Sequence, residues 1–373
     1  MQKKIIALAV AGLVSGAAFA QTNVTLYGIV DMGYQYSWDN NSDNAKSKSD
    51  VKSGGLDGSR VGVKGEEDLG NGLKAGFDAT WNFSSDYNSA VSMGEGSSVY
   101  LAGNFGKVRA GYFGNFLDDN TGVDASGRHG MINTGSLYDT GKYENFVAYY
   151  SPSFSGLQVK VGASSNIGGQ DVDPTQYTTS TVVINGTVDG VAMPAVTIAS
   201  PLNTRAYTGA ISYENGPIKA GVAYAKYELQ TTDGYTAEDR SSSDWNAGVS
   251  YDFGVVRASV FGGEQKKGDA ALANSKVAGI DIMSADGYNK KSFWALGLQA
   301  PITAADVIKV GYGEAKLKSN IGDEDLKASA WDIVYLHSLS KRTTAYAMYG
   351  NLGKDLSDAD TGTYTQAFNV GLR

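Results

Sequence analysis

Neighbouring carboxylates within residues 114–141 are the strongest candidates in this sequence for acting on charged solutes. Asp118 and Asp119 are adjacent in that segment, and Asp124 follows them. Two adjacent carboxylates at a narrow point would create a local electric field that passing ions experience. The alternative is an acidic loop in open solvent, and the residue types alone leave both interpretations open.

Cations occur shortly before the acidic segment, on a stretch whose side chains alternate in character. Lys107 and Arg109 alternate with Val108 and Ala110. Because successive side chains of a β-strand point to opposite faces, both cations are predicted to share one polar face. They could form a field together with the acids, or they could only keep that face hydrated.

Catalytic and metal-binding groups are scarce. The chain has no cysteine and only two histidines, His129 and His337, which leaves few groups for a zinc site or a catalytic triad. Acidic clusters such as 323–325 are typical of solvated loops, so we predict no metal site, no cofactor and no enzymatic activity. An enzymatic alternative would have to use His129 as a base in a loop.

The amino-terminal residues indicate export. Two lysines, an uncharged apolar stretch at 5–14 and the small-x-small triplet at 18–20 are typical of a secretory signal peptide. The apolar stretch is shorter than the ~20 residues that a membrane anchor needs. We predict a signal peptide at 1–20 and one mature domain at 21–373. The formal net charge is −8, and an exported acidic chain is a poor binder of nucleic acid.

The elements that position the charged side chains have a sequence period of two. In residues 72–83, apolar Leu73, Phe77 and Trp81 alternate with polar side chains such as Lys74. Sixteen segments of this kind are predicted, at 23–36, 59–68, 72–83, 97–104, 107–113, 142–151, 156–165, 204–214, 218–230, 243–253, 255–266, 291–300, 305–317, 327–338, 341–350 and 364–373. Short connections alternate strictly with long polar ones, of which 37–58 is the first.

This layout predicts an all-β fold in one large domain. No run of 18 apolar residues follows the amino-terminal segment, which excludes a helical membrane protein. A soluble β-sandwich would explain the alternation equally well. An even number of strands with short connections at one end and long ones at the other is instead typical of a transmembrane β-barrel. The connection at 171–203 is partly β-like and could hold an extra hairpin.

Three stretches resemble a known family. NVTLYGIVD at 23–31 resembles the first strand of the general trimeric porins of the Gram-negative outer membrane, in their beta-proteobacterial branch. SRVGVKGEEDLGNGLKA at 59–75 is similar to that family's second strand, tight turn and third strand, and YYSPSFSGL at 149–157 is similar to a later turn. The last strand of these porins usually ends on an aromatic residue, whereas this sequence ends with Leu372 and Arg373.

The resemblance implies a 16-stranded antiparallel transmembrane β-barrel with short periplasmic turns and long extracellular loops. The third long loop, 114–141, would fold into the barrel and carry the acidic side of a constriction, formed by Asp118, Asp119 and Asp124. Arg60 and Lys142 match basic positions of the family's inner wall, and Lys64 shares the face of Arg60 by alternation. The predicted basic wall is therefore Arg60, Lys64, Lys107, Arg109 and Lys142.

The function implied by the resemblance is passive diffusion of small hydrophilic solutes and ions through a water-filled channel, without catalysis or cofactor. A homotrimer in the outer membrane is expected, in contact with membrane lipid and lipopolysaccharide. One alternative is a solute-specific channel with a binding site in the lumen, and another is a purely adhesive barrel. Ion preference and solute identity stay open at this point.

Overall fold

The computed structural model describes most of the chain after the amino-terminal segment. The described residues are 23–39, 47–88, 90–127, 134–138, 141–167, 179–182, 187–188, 191–192, 196–199, 203–230, 241–266, 276–277, 280–281, 288–319, 325–353 and 364–373. The predicted signal peptide at 1–20 lies outside these residues. Within them, no helix is both long enough and apolar enough to span a membrane.

Most of the described residues are in β-strands. The first strands are β1 (Asn23–Ile29), β2 (Met32–Trp38), β3 (Ser47–Ser53), β4 (Arg60–Gly70), β5 (Leu73–Asn82), β6 (Ser92–Gly103), β7 (Gly106–Gly114), β8 (Lys142–Tyr150) and β9 (Leu157–Ser164). The later ones are β10 (Thr179–Val182), β11 (Thr187–Val188), β12 (Val191–Ala192), β13 (Val196–Ala199), β14 (Asn203–Asn215), β15 (Ile218–Gln230), β16 (Ser241–Asp252), β17 (Arg257–Lys266), β18 (Lys276–Val277), β19 (Ile280–Asp281), β20 (Tyr288–Pro301), β21 (Asp306–Ser319), β22 (Leu326–Ser338), β23 (Thr344–Leu352) and β24 (Gln366–Leu372). Between β7 and β8 lie helix α1 (Phe116–Asn120) and 3-10 turns at Thr121–Val123 and Thr134–Leu137.

A single sheet of 18 strands contains most of this structure. From β4 onward its strands pair antiparallel with the next sheet strand along the chain, and β24 returns to pair with β2, with Leu372 opposite Met32. β1 pairs with β4, and β2 also pairs with β3. The predicted all-β antiparallel fold is therefore confirmed.

Three of the predicted long connections contain short strands among their described residues, including 267–290, where β18 pairs with β19. The prediction of a loop throughout 37–58 is wrong for Ser47–Ser53, which form β3. Val51 is the only apolar residue of that stretch, so its composition is that of a loop, but its backbone pairs along the whole of β2. The extra hairpin predicted within 171–203 is confirmed, because β10 pairs with β13 and β11 with β12.

The tight turn between β4 and β5 explains part of the motif at 59–75. Gly70, Asn71 and Gly72 all have positive φ, at 86°, 53° and 77°. Glycine and asparagine adopt this left-handed region at lower cost than other residues. The sequence Gly-Asn-Gly thus fixes the reversal that places β5 antiparallel to β4.

The sheet reverses the distribution of side chains that is usual in a soluble protein, because its large apolar side chains are exposed and its small ones are buried. On β15, Val222 and Tyr224 are 44% and 48% exposed, whereas the small Ala223 and Ala225 are 1% and 0% exposed. Large apolar side chains are exposed in the same way on neighbouring strands, for example Leu296 of β20. Contiguous exposed apolar surface is rare on soluble monomers and marks contact with lipid or with another protein. We call this the outer face.

The opposite, inner face is covered by the segment between β7 and β8. Phe116 of α1 packs edge-on against Tyr150 of β8, with ring centroids 5.5 Å apart. Tyr138 stacks on Phe293 of β20 at 5.1 Å. Two buried clusters rich in aromatic side chains therefore lie between this segment and the inner face.

A second, shorter segment also folds against the inner face. Residues 54–59, between β3 and β4, are held by Asp31, which interrupts β1 and β2. Asp31 Oδ2 accepts hydrogen bonds from the backbone N–H groups of Leu56 and Asp57 at 3.0 and 2.7 Å, and Oδ1 accepts one from Tyr346 Oη at 2.6 Å. Leu56 packs against a buried cluster that includes Met348, on β23.

Candidate functional site

Helix α1 begins the segment that crosses the inner face. Asn115 caps the helix, because its Oδ1 accepts a hydrogen bond from the Asp118 backbone N–H at 2.9 Å. At the other end, Asn120 donates to Asn246 Oδ1 at 2.9 Å, and Asn246 donates back to the Leu117 carbonyl at 2.9 Å. This buried, reciprocal pair of side-chain bonds ties α1 to β16.

Asp124 lies in the interior of this segment. Its Oδ1 accepts hydrogen bonds from the Ser126 backbone N–H at 3.0 Å and hydroxyl at 2.8 Å, and Tyr138 Oη donates to its Oδ2 at 3.2 Å. The next residue, Ala125, donates its backbone N–H to Ser259 Oγ of β17 at 2.7 Å. Asp124 is only 5% exposed, so the contacts around it fasten the segment to the wall.

The two adjacent acids of α1 have different surroundings. Asp119 forms an ion pair with Lys160 of β9, with Oδ2 and Nζ 3.0 Å apart. Asp118 Oδ2 lies close to Gly114. A Cβ added to that glycine would be only 2.7 Å from this oxygen. Both side chains are more accessible than Asp124, so among the described carboxylates of this segment they are the nearest to solvent.

Lys107 and Arg109 of β7 lie on the inner face near the Asp119 pair. The ring of Tyr150 lies close to two ammonium groups, at 4.5 Å from Lys107 Nζ and 5.6 Å from Lys160 Nζ. Arg109 donates from Nε to Ser98 Oγ at 2.8 Å. The structure thus brings these two predicted cations together with Asp119, through a third cation that the sequence analysis did not single out.

Further cations line the segment on later strands. Arg257 of β17 donates from Nη2 to the Gly122 carbonyl at 3.3 Å. Lys219 Nζ lies 3.6 Å from the position that a Cβ on Gly122 would take. Lys309 Nζ lies 3.3 Å from the corresponding position on Gly127. Sequence analysis missed all three. The available signal was their alternation with apolar neighbours, which marks a polar face but not its closeness to a loop distant in sequence.

The other predicted cations lie elsewhere on the wall. Arg60 forms a salt bridge with Asp57, with Nη1 and Oδ1 2.7 Å apart, beside the short inner segment. Lys142 Nζ is 3.4 Å from Glu95 Oε2. Lys64 Nζ lies 5.4 Å from the ring centroid of Tyr27. In the described part of the chain, none of the three forms an ion pair with the aspartates of the segment between β7 and β8.

The histidines do not meet in one site. His129 lies outside the described residues. His337 Nδ1 is 2.7 Å from Asp306 Oδ1, next to the short connection between β20 and β21. Across the described ranges, no cluster of three or more His, Asp or Glu side chains has an arrangement able to hold a metal ion.

This geometry can act on ions without any covalent step. Cations from β7, β9, β15, β17 and β21 lie around a segment whose accessible acids, within its described residues, are Asp118 and Asp119, on a face lined with small and polar side chains. Rings of charged side chains along a wet passage select ions by sign.

Comparisons with known proteins agree with this architecture. The Gram-negative porin family profile matches residues 7–356. An outer membrane porin protein of Bordetella pertussis is 30% identical over 411 residues, covering 100% of this chain and 99% of that protein. Outer membrane porin protein 32 of Delftia acidovorans is 33% identical over 369 residues, covering 94% of this chain and 89% of that protein.

Solved structures are similar over the same length. An anion-selective porin from Comamonas acidovorans superimposes with a TM-score of 0.68 and 25% identity, covering 94% of this chain and 99% of that one. The trimer form of OmpT, an outer membrane protein of Vibrio cholerae, has a TM-score of 0.62 at 14% identity. Because the family profile spans most of the sequence and two relatives match nearly end to end, this chain belongs to the Gram-negative porin family of outer-membrane channel proteins.

Proposed function

We propose that the chain forms a water-filled channel for passive diffusion of small hydrophilic solutes and ions across the outer membrane. The observation that carries this proposal is the reversal of the two faces. Large apolar side chains cover the outer face, whereas the inner face is lined by small and polar side chains and by cations. An outward apolar band around a polar interior is what a membrane channel made of strands requires.

The barrel of this proposal has 16 strands and is closed. Only Val30 and Asp31 separate β1 from β2, and residues 54–59 separate β3 from β4, so each pair counts as one interrupted strand crossing the membrane. With these two mergers the 18 strands of the sheet become 16, and the pairing of β24 with β2 supports closure of the ring. Closure is favoured physically, because backbone groups at an open sheet edge would be unpaired in lipid.

The constriction of this channel is the segment 114–141. The acids of this segment and the cations around it together give the channel a preference for anions. Asp118 and Asp119 provide its accessible acids, whereas the cations around them come from several strands and include Lys107, Arg109 and Lys160. Asp124 belongs to the constriction through its position and anchors it. The similarity to an anion-selective porin supports the same direction of preference.

Three copies of the chain assemble into a homotrimer through the first and last strands. The outer faces of these strands carry exposed Val24, Leu26, Phe368 and Val370. The fold is shared with OmpT, an outer membrane protein of Vibrio cholerae solved in a trimer form. The remaining outer surface contacts membrane lipid and lipopolysaccharide.

Single-channel recording in a planar lipid bilayer tests this function. The purified protein is expected to insert with large, ohmic current steps that close in threes, without saturation by any one solute. A silent protein that is folded and rich in β-structure would contradict an open channel. Block by one solute at low concentration would instead establish the alternative, a solute-specific channel with a binding site in the lumen.

A further inference from the structure

Residues 54–59, the short inner segment, cover a part of the inner face that the segment between β7 and β8 does not. A Cβ on Gly55 would lie 2.6 Å from Tyr346 Oη and 2.8 Å from Asn369 Nδ2, on β23 and β24. Both of those side chains are buried on the inner face. The segment between β7 and β8 instead packs on β8, β16, β17 and β20. The short inner segment is therefore a second element on the inner face.

Asp31 holds the short inner segment at both ends and in the middle. The Gly54 N–H donates to the Asp31 carbonyl at 3.0 Å, and the Asp31 N–H donates to Ser59 Oγ at 3.0 Å. Between these ends, Asp31 Oδ2 accepts the N–H groups of Leu56 and Asp57. Asp31 is 0% exposed. Because a buried carboxylate is costly without its hydrogen-bond donors, these contacts favour one position of the segment.

The Asp57 side chain is held by two guanidinium groups. Arg60 approaches it as a fork, with Nη1 2.7 Å from Oδ1 and Nη2 3.2 Å from Oδ2. Arg373, which follows β24, donates from Nη2 to Oδ2 at 3.0 Å. Hydrogen bonds between charged groups are stronger than neutral ones, and the paired geometry of Arg60 makes the contact specific. Asp57 is therefore fixed through its backbone by Asp31 and through its carboxylate by two arginines.

These three charged side chains border the inner side of the sheet and remain in contact with water. Arg60 alternates with Val61, and Arg373 with Leu372, both of which are exposed on the outer face. The side chains of Arg60, Asp57 and Arg373 are 24%, 31% and 37% exposed. An ion that passes along the inner face would therefore meet these charges.

The Asp57 carboxylate weakens the attraction of this group for anions. An isolated charge acts on an ion with an energy that falls as the inverse of distance. A guanidinium in contact with a carboxylate acts as a dipole, and its effect on an ion decreases faster with distance. Formally, Arg60 and Arg373 leave one positive charge after pairing with Asp57, and they would leave two without it.

We propose that Asp57 is a selectivity-determining residue of the channel, which limits the preference for anions by offsetting Arg60 and Arg373. The inference rests on the proposed function, because ions must pass along the inner face for these charges to act on them. Arg60 belongs to the basic wall by position, but its pairing with Asp57 reduces what it contributes to the field. Asp31 is a positioning residue, since it holds the segment that carries Asp57.

The test is the chloride-to-potassium permeability ratio, obtained from reversal potentials near about 0.1 M KCl, where charges are screened over ~10 Å. We expect Asp57→Asn to raise the ratio about 2-fold and Arg60→Gln to lower it about 2-fold. The double variant should return close to wild type, because the two charges are removed together. The matched control is Glu228→Gln, which removes an acid paired with Lys226 at 2.8 Å on the outer face of β15, and it should leave the ratio unchanged.

An unchanged ratio in Asp57→Asn would overturn the proposal. Shifts of the same sign in Asp57→Asn and Arg60→Gln would also overturn it, because they would make Asp57 a purely structural support. If Asp57→Asn does not fold, Arg373→Gln decides, since it removes a cation and leaves the pair of Asp57 and Arg60 in place. The ratio should then fall, and an unchanged ratio would refute the proposal.

The current steps of the same preparations separate this test from that of the channel itself. Normal steps with unchanged ratios would refute the role of Asp57 alone. Absence of steps from the wild-type protein would refute the proposed function.

Discussion

At the level of single residues, charge was visible in the sequence but burial was not. Asp118, Asp119 and Asp124 look equivalent as acids of one segment, yet Asp124 is buried by Tyr138 and its neighbour Ala125 is bonded to Ser259. These partners are 14 and 134 positions away from the atoms they bind, and no local pattern links them. Alternation, by contrast, is local, which is why Lys107 and Arg109 could be assigned to one polar face.

The two kinds of acid predict different consequences of neutralisation. Asp119→Asn should leave Lys160 without its ion pair and raise the preference for anions by about 2-fold, because the field at the segment becomes more positive. Asp124→Asn should leave ion preference nearly unchanged and destabilise the segment by roughly 1–3 kcal/mol, since an amide cannot accept all of the same hydrogen bonds. Reversal potentials and open-channel noise measure the two effects. Equal shifts in reversal potential for both variants would contradict this distinction.

Lys309 is predicted to contribute to ion preference even though sequence analysis did not select it. Its Nζ lies 3.3 Å from the Cβ position of Gly127, within the segment between β7 and β8. Lys309→Gln should lower the chloride-to-potassium permeability ratio by about 2-fold. Lys226→Gln is the matched control, because it removes one charge from the outer face. If both variants behave like wild type, Lys309 plays no part in selection.

At the level of elements, the packing of the segment between β7 and β8 determines the shape of the site. Its position depends on buried polar contacts, above all those of Asn120 and Asn246. The sequence alone could not indicate this position, since a long polar connection is equally compatible with open solvent. Only the family resemblance implied an inward fold. The same limit explains β3, whose polar composition hides a strand formed by pairing with β2.

Removing the asparagine contact should loosen this element without unfolding the barrel. Asn246→Ala deletes the bonds to Asn120 and to the Leu117 carbonyl, each worth about 0.5–1.5 kcal/mol. We expect larger fluctuations of the open-channel current, with the temperature of barrel unfolding nearly unchanged. Asn104→Ala, in a short turn, is the control and should leave the current quiet. A quiet Asn246→Ala channel would mean that other contacts suffice to hold α1.

At the level of the whole molecule, most of the fold could be predicted from the sequence period of two. Strands such as β5 and β15 alternate residue by residue, because one face meets an apolar surrounding and the other meets water and polar side chains. The interruption at Asp31 was not predictable from this period. It depends on hydrogen bonds to Leu56, Asp57 and Tyr346, which lie on three other stretches of the chain.

The assignment of the two faces predicts that a lysine introduced at adjacent positions of β14 will reduce stability by very different amounts. Ile211 is exposed on the outer face, whereas its neighbour Ser212 faces inward near Lys160 and Lys219. Ile211→Lys should destabilise the barrel in lipid vesicles by about 2–4 kcal/mol, the cost of a lysine facing the lipid interior. Ser212→Lys should cost far less, because that side chain meets water. Urea titration of vesicle-folded protein compares them, and equal losses would contradict the assignment of the faces.

The most direct test of the account is the reversal potential of the wild-type channel in a planar bilayer under a KCl gradient. Among the described residues, cations from β7, β9, β15, β17 and β21 lie around the proposed constriction, where Asp118 and Asp119 are the accessible acids. We therefore expect a potential whose sign corresponds to chloride passing more readily than potassium, and we expect this preference to decrease as added salt screens the charges of the wall. A potential of the opposite sign would contradict the proposed role of the basic wall.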